Sequence, residues 1–210
     1  MNELLIRSLA GAAMMAVALA CAVLGGYYFA ILVAAAATIM FYEWSRIVRG
    51  WGMEWNIGGF LYALIPALAL LWVRDRADNG LALILWVFIV TWATDIGAYF
   101  VGRAFGRAKL APSISPNKTV AGLYGGMAGA TVLAGGWVLL AGLDVALLVL
   151  APLFALAAQA GDLFESWMKR GAGVKDSGDW LPGHGGLLDR LDGLVPVAIL
   201  TAGAQLAGLA

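Results

Sequence analysis

Residues 81–101 read LALILWVFIVTWATDIGAYFV, an apolar run in which Asp95 is the only charged residue. A helix needs about 20 mostly apolar residues to cross the hydrocarbon core of a bilayer, so this run predicts a transmembrane helix. Comparable runs lie at roughly 8–24, 27–48, 57–73, 120–141, 143–160 and 194–210. These runs lack the alternation of apolar and polar residues that is typical of the strands of a membrane β-barrel. We therefore predict an all-α polytopic membrane protein with about seven transmembrane helices.

The composition excludes a water-soluble globular enzyme. Hydrophobic residues make up 62% of the 210 residues and charged residues 12%, against about 45–50% and about 25% in soluble domains. The formal net charge of zero gives no electrostatic basis for nucleic-acid binding, so none is expected. The single cysteine excludes an intramolecular disulfide framework and a cysteine-based zinc site.

Two predicted spans carry acids, Glu43 near the end of one and Asp95 within another. A carboxyl group inside a membrane is costly, and it usually serves a function. We expect Asp95 to face a polar site or to pair with a base such as Arg103. The small residues GGMAGA at 125–130 predict closely packed helices.

The lysines and arginines indicate the orientation. With the N-terminus in the cytoplasm, all 13 except Arg74 and Arg76 fall on the cytoplasmic side, as the positive-inside rule requires. The polar segments 102–119 and 161–193 then lie together on that face as loops.

Segment 161–193 reads GDLFESWMKRGAGVKDSGDWLPGHGGLLDRLDG and contains the only histidine, His184. Asp162 and Glu165 are three residues apart, as are Asp189 and Asp192, which places each pair on one helix face. Two such pairs can bind a divalent cation through oxygen ligands, and the interleaved bases suit phosphate groups. The plainer interpretation is a solvated loop of mixed charge.

The run S-x-x-K-R-x4-K-D-S-G-x2-L-P-G-H-G-G-L-x-D-R-x-D, from Ser166 to Asp192, resembles the signature of phosphatidate cytidylyltransferases, or CDP-diacylglycerol synthases. Residues 95–122, DIGAYFVGRAFGRAKLAPSISPNKTVAG, are similar to a second block of that family. Asn117 and Ala121 depart from its pattern, where a lysine and a glutamate are usual. The resemblance covers roughly the C-terminal half of the chain.

The resemblance implies that CTP and phosphatidate give CDP-diacylglycerol and pyrophosphate, with Mg²⁺ as cofactor and a second cation as an option. A lipid phosphate oxygen would attack the α-phosphorus of CTP. Since both reactants are polyanions, such a site must neutralise charge and position the groups in line. The implied location is a bacterial cytoplasmic membrane, with the active site facing the cytoplasm among membrane lipids. The resemblance is compatible with a homodimer.

The site residues follow from the same resemblance. The expected metal ligands are Asp162, Asp189 and Asp192, and Lys169, Arg170 and His184 complete the expected catalytic set. His184 is expected to shape the glycine-rich turn or to contact a phosphate rather than to act as a general base. The expected substrate-binding residues are Asp95, Arg103, Arg107, Ser115, Lys118, Thr119, Lys175, Asp176, Gly185, Gly186 and Arg190. The acids could instead have a structural role as helix caps or in surface ion pairs. The bases could instead anchor the protein at the membrane surface.

Several alternatives stay open from the sequence. The chain can act on another membrane lipid phosphate, or it can be an inactive homologue because of Asn117 and Ala121. A cation transporter is disfavoured because nearly all acids lie at one face, and the CDP-alcohol phosphotransferase pattern D-G-x2-A-R is absent from the sequence. We expect a single integral membrane domain over 1–210, with N-terminal helices over 1–94, a catalytic region over 95–193 and a final helix over 194–210.

Overall fold

The computed structural model describes residues 3–178 and 185–210, with side chains from Leu9 onward. Every predicted apolar run coincides with a helix. The helices in the described part are α1 Glu3–Leu24, α2 Gly26–Ile47, α3 Met53–Arg74, α4 Gly80–Phe105, α5 Val120–Ala141, α6 Ala146–Gly171, α7 Leu188–Leu191 and α8 Leu194–Leu206. A hairpin of β1 Lys109–Ala111 and β2 Ser115–Thr119 connects α4 to α5.

Among the described residues, five helices, α2 to α6, are long and apolar enough to cross a membrane. The all-α polytopic class is therefore confirmed. The apolar stretch Leu9–Leu24 and helix α8 are shorter. Helix α8 has 13 residues, which at 1.5 Å per residue reaches about 20 Å against a hydrocarbon core of about 30 Å. The predicted number of seven spans is not confirmed.

The polar segments are more ordered than the loops we predicted. Helix α6 continues to Gly171, so the first third of segment 161–193 is helical. The Glu165–Lys169 ion pair, four residues apart, and the basic last turn both favour this extension. Segment 102–119 contains the end of α4 and the antiparallel hairpin, in which Lys109 pairs with Thr119 and Ala111 with Ser115.

Small residues let α4 and α5 pack closely, as the GGMAGA stretch predicted. A Cβ atom on Gly126 would lie 2.9 Å from the Thr94 carbonyl oxygen, and one on Gly129 would lie 2.8 Å from that of Ala93. Only glycine permits such backbone proximity without displacement. This contact brings the end of α4 and the start of α5, which flank the hairpin, to one place.

A buried apolar cluster supports the polar end of the bundle. It joins α2 to the chain around α7, since Trp44, Ile47 and Val48 pack in one cluster with Met168 and Leu188. Each of these side chains is at most 6% exposed. The cluster positions the ends of α2, α6 and α7 relative to one another.

Candidate active site

The hairpin and α6 meet through two polar contacts. The Lys118 ammonium lies 2.6 Å from the Asp162 carboxylate. Nearby, the Arg170 side chain donates to the carbonyl oxygen of Ile114, in the hairpin turn, at 3.2 Å. The prediction that the two polar segments lie together is confirmed.

Thr119 anchors the hairpin to the helices. Its hydroxyl oxygen caps the start of α5 by accepting the Gly122 N–H at 3.0 Å. A Cβ atom on Gly102 would lie 3.0 Å from that oxygen, and one on Gly106 would lie 2.7 Å away. The close fit fixes Lys118, the preceding residue, beside α6. A role of Thr119 in substrate binding stays a prediction.

Asp189, in the short helix α7, collects donors from three parts of the chain. One oxygen lies 2.5 Å from the Lys169 ammonium. The other accepts the backbone N–H groups of Ser177 at 3.0 Å and Gly186 at 2.9 Å. Burial acts to raise the pKa of Asp189, but the ammonium of Lys169 and these backbone N–H donors outweigh it and lower the pKa to about 2.

A cluster of acids lies beside this pair. Glu165 is 1% exposed, and its oxygens accept no hydrogen bond from the described residues, although Lys169 lies 3.3 Å from one of them. Burial and the nearby Asp162 raise the pKa of Asp192 to about 7, against the lowering effects of Glu165 and the Gly193 N–H.

The cluster contains carboxylate oxygens, which are suitable ligands for Mg²⁺. Carboxylate oxygens are its usual protein ligands, and nucleotide sites use one or two of them together with substrate phosphates. Asp189 accepts three donors, whereas Asp162 accepts the Lys118 ammonium and the Ser166 hydroxyl, and Asp192 accepts the Gly193 N–H at 2.7 Å. Among the described residues, no three His, Cys, Asp or Glu side chains form a metal site by themselves. The magnesium site stays a prediction, and Asp162 and Asp192 fit it better than Asp189.

A cavity of about 630 Å³ runs from this cluster between the helices. Its walls are mainly apolar side chains of α1 to α4 and α8, among them Met14, Val33 and Trp92. Among the described lining residues, Asp95 and Arg190 are the charged ones. Asp95 therefore faces the site, which is one of the two arrangements that we predicted for it. Arg103, the base named in the other arrangement, donates to the Tyr99 hydroxyl at 2.9 Å.

Gly185 and Gly186, which follow His184 in the sequence, lie close to two carboxylates of the protein. Gly185 has φ +80°, and a Cβ atom there would lie 2.8 Å from an Asp189 oxygen. On Gly186 a Cβ atom would lie 2.6 Å from a Glu43 oxygen. The pair thus permits close approach to two carboxylates, and its predicted contact with substrate stays a prediction. His184 lies outside the described residues.

The remaining predicted residues lie around the same end of the bundle. Arg107 follows α4, and Ser115 begins β2. Lys175 and Asp176 are exposed in the connection after α6. The structure brings them to the site's surroundings, and their roles stay predictions.

Glu43 is a site residue to which the sequence analysis assigned no role. It is fully buried, and its carboxylate accepts hydrogen bonds from Ser177, Leu187 and Leu188. The available signal was an acid at the end of an apolar run, since burial of a carboxyl group requires such partners. Its partners could not be inferred because they lie more than 130 positions further along the chain.

The fold and the site define a polytopic membrane protein that gathers carboxylates and lysines at one end of its helices. Residues 51–205 match the sequence model of the cytidylyltransferase family. The chain belongs to this family, which confirms the resemblance carried by the two motifs.

Three relatives named phosphatidate cytidylyltransferase illustrate the similarity. The Brucella suis protein is 48% identical over 174 residues, which cover 80% of this chain and 62% of the relative. The Pseudomonas aeruginosa protein is 40% identical over 169 residues, 75% of this chain and 60% of the relative. The Bacillus subtilis protein is 49% identical over 123 residues, 57% of this chain and 46% of the relative. The chain thus spans less than two thirds of the length of each.

Proposed function

We propose that the protein is a phosphatidate cytidylyltransferase, which converts CTP and phosphatidate to CDP-diacylglycerol and pyrophosphate. One observation carries the proposal beyond the family match. Asp95 and Arg190 line a cavity that is otherwise mainly apolar, and Arg190 directly follows Asp189, which pairs with Lys169. An apolar space that ends at clustered charges suits a lipid with a phosphate headgroup.

In this proposal the lysines and arginines receive the phosphates. Lys118 and Lys169 each form an ion pair with a carboxylate. A phosphate oxygen could replace that carboxylate, and the ammonium group would keep an anionic partner. Arg190, which lines the cavity, would contact the lipid phosphate in this proposal.

The nucleophile needs little activation. A phosphate monoester has a second pKa of about 6, so it is largely dianionic at neutral pH. One of its oxygens forms a bond to the α-phosphorus of CTP while the bond from that phosphorus to the pyrophosphate oxygen breaks. The protein contributes in-line positioning and charge neutralisation. Bound Mg²⁺, held by Asp162 and Asp192, would supply positive charge to the phosphate oxygens.

The acyl chains would occupy the cavity between α1 to α4 and α8. Its volume of about 630 Å³ falls within the range of about 300–1,000 Å³ typical of ligand pockets. The lysine and arginine distribution supports a cytoplasmic orientation of the polar end, where CTP is available. The proposed location is therefore a bacterial cytoplasmic membrane.

The test is an assay of the purified full chain in lipid nanodiscs with phosphatidate, radiolabelled CTP and Mg²⁺. Labelled CDP-diacylglycerol is the expected product, and Asp162→Asn should reduce its formation at least roughly 100-fold. Asp78→Asn, an exposed acid in the connection between α3 and α4, is the matched control. A folded chain that makes no product from phosphatidate, or that uses another lipid phosphate instead, would overturn the proposal.

A further inference from the structure

Glu43 binds the chain on both sides of residues 179–184. One of its oxygens accepts the Ser177 hydroxyl at 3.0 Å and the Leu188 N–H at 2.7 Å. The other accepts the Leu187 N–H at 3.0 Å. All three contacts are donations to the carboxylate, and its side chain is 0% exposed.

Two glycines let the backbone reach this carboxylate. A Cβ atom on Gly178 would lie 2.5 Å from one Glu43 oxygen, and one on Gly186 would lie 2.6 Å from the other. Any other residue at either position would displace Glu43 or the backbone. Glycine at these two positions therefore allows the backbone to pass close to Glu43, which lies on a helix distant in the sequence.

The same stretches of chain hold Asp189. Ser177 donates its hydroxyl to Glu43 and its backbone N–H to Asp189. Gly186 packs against Glu43 and donates its N–H to Asp189. The two carboxylates thus share one framework, and Asp189 in turn contacts the Lys169 ammonium.

Glu43 lies outside the part of the chain that matches the family model, which begins at residue 51. The apolar cluster in which Trp44 and Ile47 of α2 pack with Leu188 fixes the position of Glu43 relative to α7. Helix α2 therefore contributes a polar group to a site whose other members come from the matched region.

We propose that Glu43 is a positioning residue for the cytidylyl transfer. It holds Ser177, Leu187 and Leu188 and so keeps Asp189 and Lys169 in register with the acid cluster. This inference rests on the proposed function. A carboxylate is required because an amide would direct its NH₂ group at one of these donors and leave a buried donor without an acceptor.

The experiment compares Glu43→Gln, Glu43→Asp and the control Glu54→Gln, an exposed acid at the start of α3. Hydrogen exchange measured by mass spectrometry follows the amides of Leu187 and Leu188. Steady-state kinetics with CTP and phosphatidate gives kcat and both KM values. The exchange measurement requires no activity, so it tests the Glu43 contacts even if the proposed function fails.

In Glu43→Gln, we expect roughly tenfold faster exchange in peptides containing 185–188, with unchanged exchange in α4 and α5. We expect kcat to fall about 10- to 100-fold, with both KM values changed less than about threefold, because positioning is lost while the phosphate-binding groups remain. Glu43→Asp should recover part of kcat, since it retains the acceptors. Glu54→Gln should match the wild type.

Native exchange at Leu187 and Leu188 in Glu43→Gln would overturn the inference. So would faster exchange throughout the chain with no recovery in Glu43→Asp, because that pattern indicates general destabilisation. A wild type that lacks activity while Glu43→Gln shows local loss of protection would instead refute the proposed reaction and leave the contacts established.

Discussion

Lys118 and Asp162 form an ion pair with 2.6 Å between the ammonium nitrogen and a carboxylate oxygen, which joins the hairpin to α6. The two side chains are 19% and 37% exposed, but the Lys118 ammonium nitrogen itself is buried behind the carboxylate. An exchange of partners, from carboxylate to phosphate, therefore requires the two side chains to separate.

Replacement of this cation tests its role in phosphate binding. Lys118→Gln should lower kcat/KM for CTP by roughly 100-fold, because a cation that can neutralise phosphate charge is lost beside several acids. Lys109→Gln, an exposed lysine on the other strand of the hairpin, should change it less than about threefold. Equal losses in the two variants would contradict a specific role of Lys118.

Asp189 should be essential for stability as well as for activity. Asp189→Asn replaces an acceptor oxygen with an NH₂ group, which deprives either the backbone donors of Ser177 and Gly186 or the Lys169 ammonium of this acceptor. We expect a loss of about 2–4 kcal/mol in the free energy of unfolding. Denaturant unfolding in detergent measures it, with Asp78→Asn expected to match the wild type. An unchanged unfolding midpoint would show that these bonds contribute little.

The stability that Asp189 contributes should depend on pH. Its pKa is lowered to about 2 from the model-peptide value of 3.8, so the folded state binds this proton less readily than the unfolded state. The contribution is therefore complete above about pH 4 and is lost as the pH falls towards 2. The stability difference between the wild type and Asp189→Asn should be constant from pH 5 to 7 and shrink below pH 4. A difference that grows on acidification would contradict this assignment.

Removal of divalent cations should abolish the proposed activity. Chelation with EDTA should stop CDP-diacylglycerol formation, and added Mg²⁺ should restore it. Asp192→Asn should raise the Mg²⁺ concentration for half-maximal rate at least roughly tenfold, because a carboxylate ligand is lost. Glu54→Gln should leave that concentration unchanged. Full activity in EDTA would refute the predicted cofactor.

A bulky residue in the cavity should impair lipid binding selectively. Ala36 of α2 lines the cavity, whereas Ala34 on the same helix is exposed and absent from the lining. Ala36→Phe should raise KM for phosphatidate roughly tenfold with little change in KM for CTP. Ala34→Phe should leave both values near those of the wild type. A similar rise in both KM values for Ala36→Phe would argue against a lipid-binding role for the cavity.

Local patterns predicted most of the secondary structure but not its boundaries. The seven apolar runs became helices because continuous apolar side chains stabilise a helix in a membrane wherever they occur. The predicted loop at 161–193 was wrong over its first part, since α6 continues to Gly171. A charged helix end reads like a loop in a hydropathy pattern, although the Glu165–Lys169 spacing contained the helical signal.

The amino-acid sequence by itself determined the membrane class, the close helix packing at residues 125–130 and, through its two motifs, the family. These properties depend on composition and on neighbours within a few turns of helix. Only the tertiary structure decided that Lys118 contacts Asp162, that Asp189 is saturated with donors, and that Glu43 binds Leu188, 145 positions away. Such contacts arise from how helices pack, and a one-dimensional pattern does not specify which buried carboxyl group meets which distant donors.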